Sequence, residues 1–89
     1  MIIFLNLTNE YKNDVLNSII KENCTVDELY FITKEFKSNG LKQINAYNIL
    51  EDIRKTLNED KEDLIMELQD YVSGFCQKKF YIWDEVLKF

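Results

Sequence analysis

The chain has 89 residues, and what they lack narrows its chemistry first: no histidine, no proline, two glycines, two cysteines and a single arginine against ten lysines. Without histidine there is no imidazole base, no Ser-His or Cys-His nucleophile pair and no zinc site of the usual Cys/His kind. The two glycines, Gly40 and Gly74, stand too far apart to cradle a phosphate, and so little glycine and proline excludes a collagen-like chain. A formal net charge of −5 opposes nucleic-acid binding, which depends on a basic patch and on counterion release from phosphates. No apolar run approaches the roughly 20 residues needed to cross a bilayer, so no membrane partner is expected. The opening run Met1-Ile2-Ile3-Phe4-Leu5 is broken by Asn6 and lacks the basic start, length and cleavage site of a signal peptide. The expected location is therefore cytoplasmic. Cys24 and Cys76 are expected as buried free thiols that behave as small hydrophobes. No cofactor or metal is expected, and no catalytic constellation can be assembled.

What is present favours a folded domain. At 46% apolar and 13% aromatic residues, the composition is far from that of disordered chains. The length suits one domain, residues 1–89, and a chain of this size must pack densely because it buries only about 60–65% of its unfolded surface.

Helical periodicity recurs from about residue 8 onward. Thr8 or Asn9 can cap a first helix reaching to about Glu22, with Val15, Leu16, Ile19 and Ile20 as its apolar stripe and Tyr11 at the edge. Thr25 followed by Glu28 reads as a capping box opening a second helix to about Ser38, with Val26, Leu29, Ile32 and Phe36 on one face. Asn39-Gly40 stops it. A third helix is expected over 42–57 (Ala46, Leu50, Ile53 and Leu57 inward), and a fourth from a cap at Asn58 or Asp60 to about Ser73, ended by Gly74. Its expected inward stripe is Leu64, Ile65, Leu68, Tyr71 and Val72. Residues 2–5 read as a short strand or an extended lead-in. Residues 80–83 read as strand or irregular chain, with Trp83 expected to pin the tail to the core. Short connections favour antiparallel neighbours, so the expected fold is all-α, a compact antiparallel four-helix bundle with short terminal extensions.

Charge is concentrated. Residues 51–70 carry eight acids against three bases and account for the whole net charge. Glu51 and Asp52 open this window, and Glu59, Asp63, Glu67 and Asp70 fall within about 80° of one another on the fourth helix, with Met66 at the edge of that face. A solvated helix face is one reading of this stripe. The other is a docking surface for a basic partner, which would relieve the mutual repulsion of acids at i, i+3 and i+4 spacing. Calcium is disfavoured, because no wrapping DxDxDG loop occurs. Phe31 and Tyr47 stand at or beyond the margins of their apolar stripes. Aromatic anchors rimmed by acids suit a protein-binding hot spot, although a small bundle also buries off-stripe aromatics against its terminal segments.

The stretch from Gly40-Leu41 to Trp83 carries Ala46-Tyr47, Leu50-Glu51, Arg54, Asp70-Tyr71-Val72-Ser73-Gly74-Phe75-Cys76 and Ile82-Trp83. In these residues it resembles small helical immunity proteins found beside bacterial polymorphic and contact-dependent growth-inhibition toxins. A second likeness, in length, acidity and helix count, is to the immunity proteins of DNase colicins. Their Tyr-Tyr-Pro segment is missing here, so their binding mode is not carried over. The resemblance implies a protein that binds and neutralises a cognate toxin domain, with a basic nuclease the expected partner. The residues expected to meet it are Glu51, Asp52, Glu59, Asp63, Met66, Glu67, Asp70, Phe31 and Tyr47. Acids would set the association rate and aromatics would slow dissociation. Two other readings stay open: a phage-type inhibitor or nucleic-acid mimic acting on a host enzyme, and a helical module that self-associates through Phe31 and the C-terminal aromatics. The expected state is a monomer or weak homodimer.

Overall fold

Local signals place the helices, and burial decides how they are used. The computed structural model describes residues 7–87; the expectation for residues 2–5 lies outside this range. Four helices follow in order: α1 (Leu7–Ile19), α2 (Val26–Ser38), α3 (Gln43–Arg54) and α4 (Glu59–Ser73), then a single 3₁₀ turn at Lys78–Phe80. The tail is therefore irregular where a strand was one of the alternatives. No strand occurs among the described residues. α1 packs on α2 and α3, and α4 packs on the same two, so the bundle runs α1–α2–α4–α3 around its core. Contacts between opposite ends show that α1 and α2 are antiparallel: Tyr11 meets Phe36, and Lys21 meets Glu28. α3 and α4 are antiparallel as well, with Gln43 bonded to Val72 and Arg54 beside Glu62.

Two helix starts follow their caps, whereas α1 already begins at Leu7, ahead of the expected caps Thr8 and Asn9, and Lys42 before α3 makes no side-chain capping bond. Thr25 Oγ1 accepts from Glu28 N–H at 3.3 Å, but the Glu28 carboxylate turns to Lys21 Nζ at 3.2 Å, so only half of the expected capping box forms. Asn58 Oδ1 accepts from Lys61 N–H at 3.1 Å and starts α4. α2 ends in a Schellman turn, with Gly40 at φ 106° and Leu41 N–H reaching back to Phe36 O at 3.0 Å. Glycine meets no Cβ penalty there.

Two helices end sooner than periodicity predicts. Beyond Ile19, Lys21 N–H bonds to Ser18 O at 3.1 Å. Ile20 N–H still bonds to Leu16 O at 3.3 Å, so Ile20 keeps a helical position about 140° round from Val15, off the buried face, and is 74% exposed instead of joining the stripe. α3 stops at Arg54 because Thr56 gives both its N–H, at 3.0 Å, and its hydroxyl, at 2.8 Å, to Ile53 O. Leu57 is left half-buried in the connection.

The core joins Val15, Ile19, Leu29, Leu50, Ile53, Ile65, Leu68 and Val72, all fully enclosed. Tyr11, expected at the edge, lies at its centre with 0% exposure. Its hydroxyl is 2.7 Å from Thr33 Oγ1, and Thr33 gives its own proton to Leu29 O at 2.8 Å. The donor order is therefore Tyr11 to Thr33 to the α2 carbonyl, which leaves neither buried hydroxyl unsatisfied. Burial pushes the Tyr11 phenol well above its ordinary pKa, against a smaller opposing effect of the Thr33 bond.

The tail closes the end of the α3/α4 pair. Gln43 Nε2 donates to Val72 O and to Glu85 O, each at 2.8 Å, and Leu87 N–H reaches Ser73 O at 2.8 Å. Gly74, at φ 88°, ends α4 where a Cβ would lie 3.1 Å from Glu85 O and from Val86 Cα. Ile82 is buried, and Trp83 packs half-buried on the core. Both cysteines are free, with Cys24 buried and Cys76 only half-buried.

Removing one hydroxyl of the buried pair should cost unequally. In a double-mutant cycle, Thr33→Val strands the Tyr11 hydroxyl and should cost about 1–3 kcal/mol. Tyr11→Phe leaves Thr33 bonded to Leu29 O and should cost about 0.5–1.5 kcal/mol. The double variant should lose less than the sum of the two, as read by urea denaturation.

Candidate protein-binding surface

α4 turns Ile65, Leu68, Gln69, Val72 and Ser73 inward. Leu64 and Tyr71, expected in that stripe, are half-buried at its margin on the α2 side. The opposite face carries Glu59, Asp63, Glu67 and Asp70, all exposed, with Met66 at 42% exposure on its edge. Asp60 is exposed beside them and extends the stripe. Among the described residues, no ion pair involves any of these carboxylates.

Of the three bases in residues 51–70, two are committed elsewhere, and Lys55 is exposed between α3 and α4 without an ion pair among the described residues. Arg54 Nη2 holds Glu51 at 2.8 Å, and its Nε lies 3.9 Å from Glu62. Lys61 Nζ reaches across to Lys21 O at 2.6 Å, in the turn just beyond α1. Like charges at i, i+3 and i+4 therefore face one another with no ion pair among the described residues to offset them. Asp70 adds to the cost, since it sits in the last turn of α4, where no basic residue offsets the negative end of the helix dipole.

The other sequence-selected residues divide. Glu51 faces α4 but is used within the fold: Gln69 Nε2 donates to it at 3.0 Å and Arg54 at 2.8 Å. The Gln69 bond, with help from Arg54, holds its carboxyl below the ordinary range. Tyr47 is half-buried on α3, one turn from both Gln43 and Glu51, whose side chains bond to α4. Asp52 is exposed but lies round α3 from that flank, away from the α4 stripe. Phe31 is 68% exposed on the outer side of α2.

Periodicity gave no sign of a row of rings that links Phe31 to the tail. Phe31 meets Tyr30 edge-on with centroids 6.2 Å apart, Tyr30 meets Tyr71 of α4 edge-on at 5.6 Å, and Tyr71 stacks on Phe80 at 5.5 Å. Tyr30 and Phe80 were within reach of sequence reasoning only as aromatics, because their meeting depends on the α2/α4 contact and on the return of the tail. The row borders the acidic stripe directly: Tyr71 OH donates to Glu67 at 2.8 Å. That bond, with desolvation and the charges of Glu67 and Asp27, pushes the Tyr71 phenol up to about 12.

Chemically, this surface offers carboxylates and aromatic faces. Among the described residues no three thiol or carboxylate groups converge to hold a metal ion, and no helix is long and apolar enough to cross a membrane. Comparisons with family models, curated proteins and solved structures find no match for the chain.

Two outcomes follow from the electrostatics of α4. Asp70→Lys should raise stability by about 0.3–1 kcal/mol, because it replaces an acid with a base at the helix C-terminus; thermal denaturation reads this. Between about pH 10 and 12 the unfolded chain releases the Tyr71 proton while the folded chain keeps it. Stability should therefore fall as pH rises through that window. Tyr71→Phe should flatten the fall, leaving the share due to Tyr11, in denaturant titrations at successive pH values.

Proposed function

We propose that this chain is an immunity-type inhibitor, which binds a cognate toxin domain of basic character and neutralises it by covering its substrate surface or an adjacent one. The observation that carries the reading is the outer face of α4, where Glu59, Asp63, Glu67 and Asp70 stand exposed without ion-pair partners among the described residues. These acids repel one another, and one opposes the helix dipole, so they cost stability within the isolated chain. A cationic partner offsets that cost and is drawn in by the same field. The aromatic row along the edge supplies apolar area that exposed charges alone do not, and with it slower dissociation. The likeness of Ala46-Tyr47, Asp70 to Cys76 and Ile82-Trp83 to small immunity proteins points the same way. A nuclease domain is the partner that this chemistry fits best, because a surface built for phosphates presents the complementary charge.

Co-expression with the product of the adjacent gene should yield a complex that survives purification. The variant Glu59→Lys, Asp63→Lys, Asp70→Lys, which leaves Glu67 in place as the acceptor for Tyr71, should keep its helical circular dichroism. Its association with the partner should slow by at least about tenfold at low salt, as read by surface-immobilised binding kinetics. An unchanged association rate would remove the acidic-face mechanism.

A further inference from the structure

The most exposed ring of the row has a setting of its own. Phe31 lies one helical turn after Asp27 and one turn before Glu35, and all three side chains are exposed on the outer side of α2. Residues so spaced have Cβ atoms roughly 5–6 Å apart. Neither carboxylate is in an ion pair among the described residues. Phe31 is not a loose side chain: it abuts Tyr30 edge-on, and Tyr30 is held in turn against Tyr71 and Phe80. The row already attracts cations. Lys34 Nζ lies 5.5 Å from the Tyr30 centroid and Lys79 Nζ lies 5.2 Å from that of Phe80. Among the described residues no lysine is found over Phe31.

We infer that Phe31, with Asp27 and Glu35 on either side, is an arginine-reading position that takes a guanidinium of the basic partner in preference to an ammonium. This rests on the reading of the chain as a binder of a basic protein and adds the side-chain chemistry that it recognises. A guanidinium is flat and weakly hydrated, so it can lie on the Phe31 ring while its N–H edge meets a carboxylate one turn away. An ammonium offers a single, strongly hydrated point of charge and satisfies ring and carboxylate together less well. Charge complementarity sets the occupant. A second copy of this chain would bring another −5 towards the same acids, and an uncharged apolar segment would leave Asp27 and Glu35 unanswered at the rim.

The test uses the full chain and two glycine-serine peptides identical except that one bears arginines and the other lysines. The arginine peptide should bind roughly twofold to fivefold more tightly, the factor supplied by an exposed cation–π contact. It should also shift the NMR ring resonances of Phe31 and Tyr30. Phe31→Leu, at an exposed position where the fold should persist, should abolish the preference while leaving residual binding to the α4 acids. Asp27→Asn with Glu35→Gln should do the same with the ring intact. Equal affinity for both peptides, shifts confined to α4, or binding of neither peptide would overturn the inference. A dimer seen by sedimentation and lost in Phe31→Leu would also overturn it. Failure of the wider functional reading is seen separately, as absence of a complex with the adjacent gene product.

Discussion

The burial of one side of α4 governs everything on its other side. Ile65, Leu68 and Val72 are fully enclosed between α2 and α3, and each such side chain contributes on the order of 1.5–3 kcal/mol. Repulsion between neighbouring carboxylates on the outer face amounts to only a few tenths of a kcal/mol per pair. Packing therefore decides the conformation, and the helix holds a same-sign array that would be unfavourable in an isolated peptide. The array is rigid because its scaffold is set by apolar contacts in which the charges take no part.

Polar groups inside the bundle refine this arrangement. Gln69 is buried on α4 and ties Glu51 of α3 to it, so the acid nearest the α3/α4 seam is drawn into the fold. Arg54 is drawn in with it. Arg54 is thus unavailable to the outer stripe. The split between structural and free carboxylates follows from tertiary neighbours, and the distinction between Glu51 and Asp63 is made there.

Much of this was legible in the sequence where the signal is local. Thr25, Asn58, Gly40 and Gly74 mark helix ends because each acts within its own turn, and the outward placement of Glu59, Asp63, Glu67 and Asp70 follows from the helical period. Signals that depend on distant partners were not legible. Tyr11 was expected at the edge of its stripe, whereas Thr33, 22 residues away, satisfies its hydroxyl inside. Ile20 was counted with the stripe, but its helical position points away from the face that Tyr11, Val15 and Ile19 bury. Gln43 carried no signal at all, since both carbonyls that it serves belong to other segments, 29 and 42 residues further along. The aromatic row was hidden for the same reason: period identifies the face of one helix, and the row spans two helices and a turn.

Gly74 carries a consequence for how this surface can change over generations. Its backbone lies in the left-handed region, and Glu85 and Val86 press against the place where a side chain would begin. Any replacement would be strained there and would press on the returning tail at Glu85 and Val86. A residue with no side chain of its own thus constrains the outline presented to a partner. Drift among the exposed acids can retune recognition by small steps, while Gly74 leaves the path of the returning tail little room to vary.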